Sequence, residues 1–88
     1  MGPIDILAKE RHGSSFVVIE LKKGQESDKV VGQTLRYMGW VQDNLCKEGE
    51  IVRGLIICGE KDDKLDYALK VTPNIKLKLY KLDFHLVD

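Results

Sequence analysis

Cysteine and proline occur only twice each in these 88 residues, and aromatic residues make up just 7%. Two cysteines, Cys46 and Cys58, are too few for a disulfide framework and match no metal-ligand spacing. They read as reduced, buried thiols of an intracellular, cytoplasmic protein. Scarce proline, with eight glycines, excludes collagen-like and low-complexity chains. Long apolar runs are missing too: Phe16–Ile19 and Leu55–Cys58 are the longest at four residues. A membrane span needs ~20, so none is expected. Asp5, Lys9, Glu10 and Arg11 break up the first dozen residues, which excludes a secretory signal there. Nor is one sign of charge in excess. Fourteen basic residues balance fourteen acidic ones, unlike a non-specific nucleic-acid coat protein. An enzyme that segregates its charges by face remains compatible with that balance.

What is present is a soluble globular composition, 43% hydrophobic and 32% charged. The length fits one domain over residues 1–88. Ile4–Ala8 reads as a short strand and Ser15–Lys22, rich in β-branched residues, as a second. Glu10–Ser14, with Gly13 at its centre, reads as a hairpin loop between them. From Ser27 the period becomes helical. Ser27 or Asp28 is the expected cap, and Val30, Thr34, Tyr37, Val41 and Leu45 mark the apolar face. Gly32 and Gly39 weaken such a helix, so close packing is expected at both. Ile51–Cys58 is apolar almost throughout, as a buried parallel strand would be. Asp62–Val71 reads as a short helix carrying Leu65, Ala68 and Leu69 on one face, and Ile75–Tyr80 as an edge strand. The predicted order β-β-α-β-α-β implies an α/β fold, a mixed sheet with one helix covering each face.

The hairpin carries the chemistry. With His12 and Gly13 as a two-residue turn, Asp5 falls opposite Glu20, their Cβ atoms ~5 Å apart on one face. Lys22, two residues further, shares that face. Two adjacent carboxylates repel in a half-buried sheet. A hard divalent cation such as Mg²⁺ would offset this, and the lysine would orient a metal-activated water or stabilise a phosphate. The plainer alternative is a pair of strand-end charges salt-bridged by Lys22. Gln33 and Tyr37, one helical turn apart, either support that site or only hydrogen-bond within the helix packing. Lys23, Lys29 and Arg36 are candidates for the same rim, as phosphate contacts or as solvated surface charges.

Gly2-Pro3-Ile4-Asp5, Glu20-Leu21-Lys22 and Gln33-x-x-x-Tyr37, in that order, resemble the PD-(D/E)XK nuclease superfamily. Among its RecB-like members the pattern is similar to the C-terminal nuclease domain of NucS/EndoMS-type endonucleases, over roughly residues 2–58. The resemblance implies a restriction-endonuclease-like core and a Mg²⁺- or Mn²⁺-dependent endonuclease acting on DNA. It implies that Asp5 and Glu20 hold the metal, helped by the Leu21 carbonyl, while Lys22 assists the attacking water. Gln33 and Tyr37 would brace the site or touch DNA. In this superfamily the aspartate usually follows an N-terminal helix and a further strand. The expectation is therefore a trimmed core without those N-terminal elements, a subdomain of a larger protein, or a minimal homologue completed by a homodimer. The alternative function is a catalytically inactive nuclease-like module for nucleic-acid binding or protein assembly.

Overall fold

The computed structural model describes residues 5–11, 13, 15–60, 62–81 and 86–87. Strands β1 (Ile6–Lys9) and β2 (Ser15–Leu21) are followed by α1 (Ser27–Asn44) and β3 (Ile51–Cys58). Helix α2 (Asp63–Lys70) and β4 (Ile75–Leu79) complete the α/β order expected from the sequence. One four-stranded mixed sheet results, in the order β1-β2-β3-β4. β1 is antiparallel to β2, whereas β3 and β4 run parallel to it. No helix among the described residues is long and apolar enough to cross a membrane.

The hairpin takes the expected register, with Ile6 opposite Ile19 and Lys9 opposite Phe16. The Glu10 amide donates to the Ser15 carbonyl at 3.0 Å, one rung further. His12 and Ser14, and with them the expected two-residue turn, lie outside the described residues, as do Gly2, Pro3, Ile4 and His85.

Both helices cover the same face, which corrects the expectation of one per face. Each parallel crossover steps one strand in the same direction, and right-handed connections then put both helices on one side. Accordingly α1 packs on β2 and β3, α2 packs on β4, and the two helices touch each other. Val18, Val52, Ile56 and Ile75 of the sheet form the core beneath them, with Val30 and Val41 of α1 and Leu65 of α2. No helix among the described residues covers the opposite face. There Val17 and Ile19 of β2 lie beside Arg53 and Leu55 of β3. β3 is consequently buried on alternate residues, not continuously as its apolar sequence suggested.

Helix α1 buries Val30, Thr34, Tyr37 and Val41 as the spacing required, whereas Leu45 lies past its end and is exposed. Its N-cap is Glu26, without a side-chain cap bond, so neither Ser27 nor Asp28 caps it. Ser27 is instead the first helical residue, and its hydroxyl is engaged elsewhere. Gly32 and Gly39 face open space, contrary to the expected close packing. The tight approach is at Gly54, where an added Cβ would meet Met38 Sδ at 2.9 Å and Thr34 Cγ2 at 3.0 Å. Asp62 caps α2 by accepting the Leu65 amide at 3.2 Å. Cys58 is buried, Cys46 partly so, and both are free thiols.

Candidate active site

Asp5 stands one residue before β1, and extending the register from Ile6 and Ile19 puts it opposite Glu20. Alternation along β2 turns Glu20 to the helix-covered side, with Val18, where it is 5% exposed. Ile56 of β3 flanks it. Asp5 Oδ2 accepts the Leu21 amide at 2.9 Å, which anchors the outer carboxylate to β2. One oxygen of Glu20, Oε1, is buried with no hydrogen-bond partner among the described residues.

Electrostatics follow from that geometry. Burial pushes the Glu20 carboxyl above its ordinary value, and the Asp5 carboxylate beside it pushes further the same way. The Asp5 backbone and the Lys23 ammonium oppose the shift without cancelling it. A buried acid next to a second acid, with such an oxygen, is an oxygen-donor pair suited to a hard divalent cation. Leu21 follows Glu20 directly and bonds Asp5 through its amide, and its carbonyl accepts Gln25 Nε2 at 3.3 Å. A carbonyl has two lone pairs, so this bond leaves it capacity for a cation. Among the described residues no group of three or more His, Cys, Asp or Glu side chains converges.

Lys22 has a partner that the sequence did not indicate. It shares the face of Glu20, and its ammonium lies 3.7 Å from Asp62 Oδ2. The cause is position. Lys22 lies just past the end of β2, its amide bonded to the Ile57 carbonyl at 2.8 Å. Both helices begin above that end of the sheet, and the α2 cap supplies a carboxylate within reach. Ser27 Oγ donates to Asp62 Oδ2, and this bond, followed by that from the Leu65 amide, holds the Asp62 carboxyl below its ordinary value.

Two clefts meet at Lys22 and Asp62. One of about 420 Å³ extends toward Gln25, Ser27 and Lys64. The other, of about 530 Å³, runs past Lys23 and Gly59 to Tyr80. Gly24 sits in that wall with φ +106, a backbone conformation that a side chain would strain. Asp5 and Glu20 line neither cleft.

Tyr37 is 5% exposed and lies in the sheet-facing stripe of α1, while Gln33, one turn before it, is half-buried. The Arg36 guanidinium stands 5.7 Å from the Tyr37 ring centroid. Lys23, Lys29 and Arg36 are exposed. Sequence reasoning read Asp62 only as a helix start and missed its contact with Lys22. The available signal was an aspartate at a cap position a few residues after a parallel strand.

The chain matches no protein-family model, no curated protein and no solved structure.

Proposed function

We propose that this domain is a metal-dependent nuclease with a restriction-endonuclease-like core, hydrolysing phosphodiester bonds in DNA. The observation that carries the reading is Glu20: a buried carboxylate, one oxygen unpartnered among the described residues, pressed against Asp5. Such a pair is costly unless a cation joins it. Asp5 and Glu20 would hold Mg²⁺ or Mn²⁺ with the Leu21 carbonyl. The ion, when bound, polarises the scissile phosphate and lowers the pKa of a water. The Leu21 amide fixes the Asp5 oxygen in place. Lys22 presents a cation where the two clefts meet, suited to charge on a phosphate. Lys23, Lys29 and Arg36 supply exposed cations for backbone contacts, and Gln33 and Tyr37 support the site from α1. Free thiols suit the reducing interior of a cell.

The test is cleavage of duplex and single-stranded DNA with Mg²⁺ or Mn²⁺ against chelator. Metal-dependent cleavage is expected, with Lys22→Ala losing at least 100-fold in turnover while calorimetry still detects the cation. A second reading has one observation in its favour: Lys22 is paired with Asp62, a carboxylate outside the Asp5–Glu20 pair. On that reading the domain is an inactive module that binds nucleic acid or assembles with a partner. DNA binding without cleavage at any metal concentration would establish it.

The sheet face that no described helix covers supports a homodimer. Val17, Ile19 and Leu55, with the half-exposed Ile6 at the edge, leave apolar surface that water penalises. Two-fold pairing is the commonest way to cover such a face, and it would present two sites to a duplex. Sedimentation is expected to show a dimer at micromolar concentration, and Leu55→Lys a monomer. A monomeric wild-type protein with full cleavage activity would remove the dimer from this account.

A further inference from the structure

Three groups grip the Asp62 carboxylate. Oδ1 accepts the Leu65 amide at 3.2 Å, and Oδ2 accepts the Ser27 hydroxyl and lies 3.7 Å from Lys22 Nζ. Ser27 opens α1 and Asp62 caps α2, so this one carboxylate ties together the starts of both crossover helices. The Lys22 side chain is only 18% exposed and lines both clefts where they join.

An ion pair of this length between partly exposed groups adds little to stability. Its effect is geometric. A lysine has four rotatable side-chain bonds, and an unheld ammonium would sample much of the cleft. Asp62 cannot drift with it, because Ser27 and Leu65 fix it from two directions.

We propose that Asp62 is a positioning residue for Lys22, with Ser27 holding Asp62 in turn. This rests on the nuclease reading above and adds to it a residue outside the Asp5, Glu20, Lys22 set. Asp62 touches neither the carboxylate pair nor, on this account, the scissile bond. It acts by setting where the ammonium stands when a phosphate enters the cleft, and misplacement of a catalytic group by about 1 Å can cost ~100-fold in rate.

Asp62→Asn separates charge from structure. Asparagine caps helices as well as aspartate does: its Oδ1 accepts the Leu65 amide while its Nδ2 donates to Ser27 Oγ, so the variant is expected to fold and melt like the wild type. Asp62→Glu restores the charge. Two readouts follow on the full chain. The first is acylation of the Lys22 amine by a water-soluble active ester, read by mass spectrometry against Lys29 and Lys76 in the same sample. Labelling of Lys22 should rise severalfold in Asp62→Asn and return toward wild type in Asp62→Glu. The second is cleavage of DNA: kcat is expected to fall about tenfold in Asp62→Asn with KM within twofold, and to recover in part in Asp62→Glu. Equal Lys22 labelling in all three proteins overturns the proposal. So does a kcat that is unchanged or raised in Asp62→Asn, the latter marking Asp62 as a restraint on the lysine. A wild-type protein that never cleaves defeats the nuclease reading alone, and the labelling ratio still decides whether Asp62 holds Lys22.

Discussion

Glu20→Gln should melt higher than the wild-type protein at pH 7 while losing all metal-dependent cleavage. The substitution keeps the shape of a side chain that is 5% exposed and removes its charge. In the wild type that charge is buried beside Asp5 with an oxygen lacking a partner among the described residues. Removing the buried like-charge repulsion with Asp5 is expected to relieve roughly 1–2 kcal/mol, or about 5–10 °C for a domain of this size. The pH dependence has a definite sign. Because the folded carboxyl titrates above its ordinary value of 4.5, the folded state binds this proton more tightly than the unfolded chain does. Stability from this group is therefore lost as pH rises from about the ordinary value through the folded one, and stays lost above it. The advantage of Glu20→Gln grows as pH rises from the ordinary value through the folded one, and disappears well below the ordinary value, where the wild-type carboxyl is protonated too. Mg²⁺ should raise the melting temperature of the wild type and leave the variant unmoved. A variant less stable than wild type at pH 7 would mean that the Glu20 charge is well accommodated, and the argument for a cation would fall with it.

The largest loss of stability is expected at Gly54. Its added Cβ would lie 2.9 Å from Met38 Sδ, 3.0 Å from Thr34 Cγ2 and 3.1 Å from Ile75 Cγ1. Met38 can yield, being unbranched and flexible. Thr34 is fully buried and Ile75 nearly so, and both are branched at Cβ, which fixes their rotamers. Gly54→Ala should cost about 1–2 kcal/mol and Gly54→Val 3 or more, the upper range of overpacking. Urea unfolding measures both. Gly32→Ala and Gly39→Ala, where nothing stands within 4 Å, should stabilise by about 0.5–1 kcal/mol each. Equal behaviour at all three positions would contradict the packing of α1 on β3 described above.

These contrasts show what the sequence could and could not convey. The hairpin register was legible because the strand period is two and a slip would turn Val18 and Glu20 outward. The buried stripe of α1 was legible from its spacing of three and four. The side on which α2 lies was not. β3 carries Val52 and Ile56 on one face and Leu55 and Ile57 on the other, so no polarity distinguishes the helix-covered face from the other. Gly54 looked like any glycine in a strand, while Gly32 and Gly39 drew attention by interrupting a helix. In the candidate site, Asp5 and Glu20 could be paired because a hairpin is local. The partner of Lys22 could not, since Asp62 reaches it only after a helix, a strand and a turn have folded.

The locality of the hairpin also orders events during folding. Its paired residues are at most thirteen positions apart, whereas Val18 and Gly54 are separated by thirty-six and Gly54 and Ile75 by twenty-one. Short loops close first, so β1 and β2 can meet while Glu20 is still surrounded by water. Repulsion between the two carboxylates is weak at that stage. It strengthens when β3 and α1 arrive and strip the solvent away, which makes removal of water from Glu20 a late and unfavourable step. Refolding should then be fastest where that side chain is protonated or joined to a cation. On the nuclease reading, the carboxylate proposed to hold the cation is also the one whose burial is expected to slow the last step of folding.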